Sequence, residues 1–336
     1  MEYGELVRKA EANLIAKGIL KNYAMGEKSH LRQGAETNFV NAFNHRYFER
    51  FGFKFRMIDS REANTEITLF KKTFKTPILS GALSGMADIT EKPLAKIAAG
   101  IKDSGSMMWL GIVSSENLKE VLDIGVPTVR IVKPFQESET LVRELKEAEQ
   151  GGAIAVGTDI DFFYGGKRGD RTFAPKAMGP KSVAELKQLV GVTKLPFVLK
   201  GVLSAQDAKK ALEIGAAGIV VSNHAGVVID YAAHPLEVLP EIKAVIGDRL
   251  PIFVDSGIRR GSDVMKALAL GADAVLVGWA LIMGLAANES QGVKEMVDIL
   301  TAELRRIMSV TGCKNLSEID ESILVTRDYL ICNCQD

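Results

Sequence analysis

Cysteine is scarce in this sequence. Only Cys313, Cys332 and Cys334 occur among the 336 residues. A small and odd number of cysteines excludes a disulfide scaffold and is typical of a reducing compartment, so we expect a cytoplasmic location. Cys332 and Cys334 lie close together in the polar segment ICNCQD, without a matching pair of histidines. This spacing gives little support for a structural zinc site, and we expect no metal.

The sequence also lacks an excess of charge of either sign and any long hydrophobic run. The 42 acidic and 42 basic residues give a formal net charge of zero, which argues against nucleic acid or an anionic membrane surface as the main partner. No apolar run approaches the ~18 residues that a membrane-spanning helix needs. The first residues, MEYGELVRKAEANLIAKG, are charged and amphipathic, unlike a signal peptide. We therefore expect a small molecule as the partner, and neither a membrane nor a nucleic acid.

An internal repeat is the strongest organisational feature that is present. The chain reads PFVLKGVLSAQDAKKALEIGAAGIVVSN from Pro196 and PIFVDSGIRRGSDVMKALALGADAVLVGW from Pro251. Each unit is an apolar strand, a glycine-containing loop, a helical pattern and a Gly-Ala pair. Gly215 and Gly271 follow the two helical patterns, where a left-handed C-cap favours glycine. Repeated strand–helix units predict a parallel sheet with strands buried on both faces.

Eight apolar runs match this strand pattern, and helical patterns separate most of them. The runs are Thr76–Gly81, Ser106–Gly111, Thr128–Val132, Ala153–Asp159, Pro196–Gly201, Gly218–Asn223, Pro251–Ser256 and Ala274–Gly278. Eight strands with intervening helices predict an α/β protein with a (β/α)8 TIM barrel. A doubly wound open sheet would need a Gly-x-Gly-x-x-Gly turn after its first strand, and the sequence has none.

Two regions lie outside the barrel pattern. Residues 1–75 are expected to form an N-terminal helical extension that packs on the barrel of residues 76–336, with one helix to about Tyr23 and another near Thr37–Phe51. Residues 161–180, DFFYGGKRGDRTFAPKAMGP, form a long polar loop after the fourth strand. Long loops on this face of a barrel are typical of functional lids, and the alternative is a disordered insertion.

Ionisable residues end four consecutive predicted strands. Asp159 ends the fourth strand, Lys200 the fifth, His224 the sixth and Asp255 the seventh. The carboxyl ends of parallel barrel strands meet at one mouth, which is where barrel enzymes place their chemistry. Four ionisable groups there indicate a ligand site more strongly than the alternative, a structural ion-pair network.

The loop after the seventh strand has the composition of a phosphate site. Gly257 begins the run GIRRG, which opens a helix, and Arg259 lies within it. Backbone N–H groups at a helix start bind phosphate, as the loops after strands seven and eight of barrels commonly do. Gly278 ends the eighth strand and would serve the same cradle. The equivalent loop after Gly201 has no arginine, which argues against a merely solvated helix start.

These motifs resemble one enzyme family. Residues 196–319 are similar to the FMN-dependent α-hydroxy-acid oxidases and dehydrogenases, the group of glycolate oxidase and lactate oxidase. The matching segments are Lys200-Gly201, Ser222-Asn223-His224, DSGIRRG from Asp255, and KALALGADAVLVG from Lys266. The first half matches more loosely, through PILSGALSGM from Pro77 and AVGTDID from Ala155.

The resemblance implies FMN as cofactor and a role for individual residues. His224 would be the general base that removes the substrate proton while hydride passes to the flavin, and Asp159 would orient it. Lys200 would stabilise the anionic reduced flavin ring. The residues implied to contact the cofactor are Ala82, Leu83, Ser84, Gly111, Lys200, Ser222, Asp255, Ser256, Gly257, Ile258, Arg259, Gly278 and Trp279. A homo-oligomer, in the form of a tetramer, is also implied by the resemblance.

The sequence departs from the family where the family binds its substrate. The family arginine that grips the substrate carboxylate follows the histidine closely, and Val227 takes its place here. Losing that charge-assisted pair removes ~1.5–3 kcal/mol of binding free energy. Lys133, Lys167 or Arg168 is the candidate replacement for the carboxylate ligand. A family arginine for the phosphate is replaced by Trp279.

Three functions are consistent with this pattern. The favoured one is an FMN-dependent oxidoreductase that takes hydride from a 2-hydroxy acid or related small molecule. A non-redox flavin enzyme resembling type 2 isopentenyl diphosphate isomerase would explain Val227, but that family lacks the Ser-Asn-His strand end. A catalytically inactive FMN-binding barrel would explain Val227 and Trp279. The presence of both Asp159 and His224 argues against inactivity, because a dead site need not keep a coupled pair.

Overall fold

A computed structural model describes residues 1–23, 35–162, 172–173 and 176–327, and it contains a parallel barrel. Its strands, counted here as barrel strands one to eight, are Ile78–Ser80 with Ala82–Leu83, Met108–Leu110, Thr128–Val132, Ala155–Asp159, Phe197–Val202, Gly218–Val221, Ile252–Val254 and Ala274–Val277. Each strand pairs in parallel with its neighbours in chain order. The (β/α)8 prediction is confirmed.

Barrel strand one closes the barrel in two segments. Ile78–Ser80 pairs with strand eight, and Ala82–Leu83 pairs with strand two. Gly81 lies between the segments and donates its backbone N–H to the Val277 carbonyl at 2.8 Å. The sequence predicted one continuous strand ending at Gly81, so the continuation through Leu83 was missed. This break matters because it turns Ala82 and Leu83 toward the mouth of the barrel.

A hydrophobic cluster fills the barrel interior. It contains Trp109 and Phe253, whose ring centroids lie 5.0 Å apart. A short antiparallel hairpin, Ile67–Leu69 with Lys72–Phe74, contributes buried Leu69 and Phe74 to the same cluster. Because this hairpin immediately precedes strand one, it covers the amino-terminal end of the barrel. The opposite end remains available for the site.

Helices surround the barrel. They are Pro93–Ser104, Ser115–Asp123, Ser138–Gln150, Val183–Val190, Ala205–Ile214, Pro235–Ile246, Gly261–Ala269 and Trp279–Val310. The side chains of Ser114 and Ser182 accept N-terminal backbone hydrogen bonds of their helices. Gly215 and Gly271 both have positive φ, at 80° and 111°, as the repeat predicted. Among the described helices, none is long and apolar enough to cross a membrane.

The first part of the N-terminal extension packs on the helix that follows strand eight. Helix Tyr3–Ala16 buries Leu6, Ala10 and Leu14 and packs on the helix Trp279–Val310. The predicted helix to about Tyr23 stops at Ala16, because Gly18 takes a φ of 69°, and a short 3-10 turn follows at Leu20–Asn22.

The second part of the extension approaches the barrel mouth. It contains the helix Phe39–Arg46 and a 3-10 turn, Tyr47–Arg50. The strand Phe51–Phe53 then pairs antiparallel with Leu324–Thr326 near the C-terminus. The sequence predicted only helix over this region, since a three-residue strand carries too little periodicity to be recognised.

The long loop after strand four is described in part. Thr172–Phe173 pairs antiparallel with Lys176–Ala177, and Met178 forms a bridge with Phe135. Residues 163–171 and 174–175, which include Lys167 and Arg168, lie outside the described residues. The lid interpretation stays a prediction.

Two buried histidines join the extension to the barrel and make folding sensitive to acid. His234 donates from Nε2 to the Asn44 carbonyl at 3.1 Å, and its Nδ1 accepts the Leu236 backbone N–H at 3.0 Å. Burial lowers the pKa of His234 to about 3. Burial and the nearby Arg259 charge lower the pKa of His45 to about 4. The folded state therefore resists a protonation that the unfolded chain accepts.

We expect the free energy of unfolding to fall between pH 7 and pH 5. The folded pKa values lie below the unfolded value, so this stability is present above about pH 6.5 and is lost as pH falls. The loss is about 2 kcal/mol per histidine at pH 5. Urea unfolding of wild type and His234→Gln at both pH values measures it. The variant should lose less stability on acidification, and an equal loss in both proteins would contradict the assignment.

Candidate active site

A cavity lies at the carboxyl ends of the barrel strands. It has a volume of about 220 Å³ and opens to solvent. The predicted site residues that line it are Ala82, Leu83, Lys200, His224, Asp255, Ser256, Gly257, Ile258, Gly278 and Trp279. Residues far apart in the sequence thus converge on one pocket at the face where barrels place their sites.

Four other predicted cofactor residues are near the cavity but are not among its lining residues. Ser84 is exposed, one residue past Leu83. Gly111 is buried against strand one, where an added Cβ would lie 2.6 Å from the Ala82 carbonyl oxygen. Ser222 lies behind Lys200, 3.3 Å from its Nζ, and Arg259 follows the lining residue Ile258.

Lys200 is a buried cation held between two carboxylates. Its Nζ lies 3.5 Å from Asp159 Oδ1 and 3.4 Å from Asp255 Oδ2. Burial alone would lower the pKa of Lys200, but the carboxylates of Asp255 and Asp159 raise it above its usual range. Lys200 therefore stays protonated in the site.

Asp159 is engaged by two lysines. It accepts a hydrogen bond from Lys133 Nζ at 2.6 Å, in addition to its ion pair with Lys200. Burial by itself would raise the pKa of Asp159, but the Lys133 and Lys200 ammonium groups hold it well below its usual range. Asp159 is thus a fixed negative charge at the bottom of the site.

His224 lies at the end of strand six in an unusual backbone conformation. His224, Ala225 and Gly226 have consecutive positive φ values of 53°, 55° and 79°. The strained turn is held because His224 N–H donates to Ser222 Oγ at 3.0 Å and Ala225 N–H donates to Ser256 Oγ at 3.1 Å. The turn presents the imidazole, 22% exposed, to the cavity.

The nearest carboxylate to His224 is Asp161, which the sequence did not single out. Both Asp161 oxygens lie 3.2 Å from His224 Nδ1, while Asp159 Oδ1 lies 3.9 Å away. Phe162 stacks on the imidazole with centroids 4.7 Å apart. The three groups Asp159, Asp161 and His224 converge closely, but the ammonium of Lys200 lies 3.5 Å from Nδ1 and already balances their charge.

The loop after strand seven, from Gly257 to Arg259, lies at the other end of the cavity and has the features of an anion site. Gly257 has a φ of 92° and approaches the Asn44 carbonyl so closely that an added Cβ would lie 2.5 Å from its oxygen. Arg259 Nε is buried and has no hydrogen-bond partner among the described residues. Gly278 leaves open space, since an added Cβ would meet only Leu83 Cδ2, at 3.7 Å. A guanidinium whose buried Nε has no hydrogen-bond partner among the described residues, close to two glycines, suits a phosphate group.

The extension supplies part of the cavity wall, which the sequence did not predict. Asn41, Asn44 and His45 line the cavity from the helix Phe39–Arg46. Their spacing of three and four residues places them on one helical face, the signal that could have identified them. His45 Nδ1 lies 3.1 Å from the Gly257 carbonyl, so this helix contacts the loop after strand seven directly.

The predicted carboxylate ligands do not line the described cavity. Lys133 is 6% exposed and bound to Asp159, with its Nζ 3.9 Å from the Phe162 ring centroid. Lys167 and Arg168 lie outside the described residues. Val227 is half-buried. Among the described lining residues, Lys200 is the one with a permanent positive charge, and it is already paired.

Comparisons with known proteins show the family to which the chain belongs. A family profile described as FMN-dependent dehydrogenase matches residues 21–183 and 170–326. A 2-hydroxyacid oxidase of Dictyostelium discoideum is 29% identical over 358 residues, covering 97% of this chain and 92% of that protein. The human 2-hydroxyacid oxidase 1 is 30% identical over 337 residues, covering 88% and 90%. The crystal structure of a mandelate oxidase superposes with a TM-score of 0.84 at 27% identity, covering 97% and 98%.

Proposed function

Because the chain belongs to the FMN-dependent dehydrogenase family, we propose that His224 is the general base in the oxidation of a 2-hydroxy acid or related small molecule. The protein is an FMN-dependent oxidoreductase that acts on a CH–OH group. The observation that carries the proposal is the position of His224. Its imidazole faces a cavity that also contains a buried, protonated Lys200 and an anion-binding loop.

The residues present fit FMN. The two ends of the cavity differ in chemistry as the cofactor requires, with Lys200 at one end and the loop that begins at Gly257 at the other. Gly257, Arg259 and Gly278 would hold the phosphate, and the unpaired Arg259 Nε supports this placement. Lys200 would lie against the flavin ring, where a fixed positive charge favours its reduced, anionic form. Asp255 and Ser256 would hold the ribityl chain that joins the flavin ring to the phosphate.

Each protein group then has a defined task. FMN, when bound, accepts the hydride from the substrate carbon. The substrate hydroxyl loses its proton to His224, so the C–H bond and the O–H bond are broken and a carbonyl forms. Asp159 accepts a hydrogen bond from Lys133 and pairs with Lys200, whose positive charge it helps to maintain.

The position of Val227 gives the first test of the substrate. If Val227 occupies the place of a carboxylate ligand, Val227→Arg should raise kcat/KM for 2-hydroxy acids by roughly 10-fold or more, through a charge-assisted pair. Val228→Arg is the matched control, since Val228 is also half-buried. Steady-state kinetics with a panel of hydroxy acids measures the effect. An equal change in both variants would show that position 227 has no special relation to the carboxylate.

A substrate panel tests the proposed activity against its alternatives. The FMN-loaded protein is mixed anaerobically with 2-hydroxy acids, amino acids and alcohols, and the flavin absorbance is followed. We expect bleaching by at least one 2-hydroxy acid. Isomerisation of a diphosphate substrate with pre-reduced flavin, without bleaching by any hydroxy acid, would favour the non-redox enzyme. A protein that binds FMN but shows neither bleaching nor isomerisation would favour the inactive FMN-binding barrel.

We further propose a cytoplasmic location and a homo-oligomer, a tetramer as the resemblance implies. The three cysteines of the sequence support a reducing compartment. The apolar exposed side chains of Phe55, Met57 and Ile58 are available for subunit contacts. Light scattering coupled to size-exclusion chromatography gives the mass in solution, and a monomer would overturn the oligomer.

A further inference from the structure

Asp161 is placed to hold His224 more directly than Asp159 does. Both of its carboxylate oxygens lie 3.2 Å from His224 Nδ1. Asp159 Oδ1 is 3.9 Å from the same atom, and the Asp159 carboxylate is already bound by Lys133 at 2.6 Å and paired with Lys200. Two lysines thus engage Asp159, whereas Asp161 pairs with His224 itself. Lys200 Nζ also approaches His224 Nδ1, but at 3.5 Å it is farther from that atom than the two Asp161 oxygens.

The neighbouring strand five leaves space for the Asp161 carboxylate. Gly201, the second-last residue of strand five, has a φ of 94°, and a Cβ at this position would overlap the Asp161 carboxylate carbon. Glycine is therefore required here for two reasons, its backbone conformation and the close approach of Asp161. The carboxylate is only 12% exposed, so its interaction with the imidazole is partly shielded from water.

The residue after Asp161 fixes the imidazole from a second direction. The Phe162 ring stacks on His224 at 4.7 Å between centroids and 28° between planes. Asp161 holds the ring edge at Nδ1, and Phe162 covers a ring face. Two consecutive residues at the end of strand four therefore restrict both the position and the rotation of the imidazole.

We propose that Asp161, rather than Asp159, is the positioning residue for His224. Asp161 accepts the Nδ1–H hydrogen bond, which leaves the lone pair of Nε2 free to accept the substrate hydroxyl proton. The imidazolium that forms is then paired with Asp161. The proposal rests on His224 as the base of the proposed function, while the Asp161–His224 contact itself does not depend on catalysis.

Nitrogen NMR of protein labelled with ¹⁵N-histidine tests the contact without relying on turnover. The chain has four histidines, and His224→Gln identifies the His224 signals. We expect the Nδ1–H tautomer in FMN-loaded wild type. Asp161→Asn and Asp161→Ala should both shift the ring toward the Nε2–H tautomer, because the acceptor for Nδ1–H is lost or weakened. Asp159→Asn should keep the wild-type tautomer.

Flavin reduction by substrate provides the second readout. Asp161→Asn should lower the reduction rate by on the order of 10²- to 10⁴-fold with little change in KM, as the loss of an orienting carboxylate does in serine proteases. Asp298→Asn, an exposed carboxylate in a surface ion pair, is the control for a generic charge change. If Asp159→Asn does not fold, the two Asp161 variants still decide the proposal.

The outcomes separate this proposal from the proposed function. If both Asp161 variants keep the Nδ1–H tautomer and reduce the flavin as fast as wild type, Asp161 is not the positioning residue, while His224 can remain the base. If Asp159→Asn alone shifts the tautomer, Asp159 has the role. If both Asp161 variants change the His224 tautomer but no hydroxy acid reduces the flavin of the wild-type protein, the Asp161–His224 contact is supported and the proposed activity is wrong.

Discussion

Replacing His224 by alanine should leave a protein that binds FMN but is reduced by substrate about 10³-fold more slowly or worse, within or beyond the range typical of a lost general base. The His224 imidazole faces the cavity as the base that we propose, and the flanking Lys200 is protonated and cannot accept a proton. FMN binding should persist, because the phosphate site that we propose, at Gly257, Arg259 and Gly278, does not include His224.

Stopped-flow reduction under anaerobic conditions measures this effect, and flavin absorbance after gel filtration measures cofactor retention. His224→Gln, which preserves a polar side chain of similar length, should be equally slow. His234→Gln is the matched control, because His234 is buried away from the cavity lining and contacts Asn44 instead. Wild-type reduction rates in His224→Ala would exclude His224 as the base.

The second large effect is expected from Lys200→Met. Its Nζ is the shared partner of Asp159 and Asp255, and the side chain is only 5% exposed. Removing one partner of a buried ion pair leaves an uncompensated charge, at a cost of about 3–5 kcal/mol in the free energy of unfolding. The same change removes the positive charge expected to stabilise the reduced flavin, so the reduction rate should fall as well.

Urea unfolding of the two proteins at neutral pH gives the difference in free energy. Adding Asp255→Asn to Lys200→Met should recover part of the lost stability, because one unpaired carboxylate is removed with the lysine. Lys210→Met is the control: Lys210 and its partner Asp207 are exposed, so the change should be within about 0.5 kcal/mol. A loss in Lys200→Met no larger than in the control would contradict the buried network.

The barrel was predictable because its signal is repeated. The units beginning at Pro196 and Pro251 show the same strand, loop and helix pattern, and both helix-ending glycines have the expected positive φ. The split of strand one at Gly81 was not predictable, since an apolar run contains no information on which neighbour each segment pairs with. The strand Phe51–Phe53 was missed because its partner lies near the other end of the chain.

The site was predictable where it follows from the barrel itself. Lys200, His224 and Asp255 end consecutive strands, and parallel strands bring their carboxyl ends together. The spacing of Asn44 and His45 from Asn41 indicates a shared helical face, but they were missed because the sequence does not specify where a helix outside the repeat docks. Asp161 was read as the first residue of a loop, and only the backbone path after strand four places its carboxylate at His224.

The central claim is that this protein breaks a substrate C–H bond beside a hydroxyl and passes the hydride to FMN. Anaerobic stopped-flow reduction of the FMN-loaded protein by a 2-hydroxy acid, with hydrogen or deuterium at C2, tests it most directly. The account predicts that the flavin absorbance bleaches and that deuterium slows the bleaching. Bleaching that does not depend on deuterium at C2 would show that a step other than cleavage of the C–H bond limits the rate. A flavin that stays oxidised with every hydroxy acid would contradict the claim.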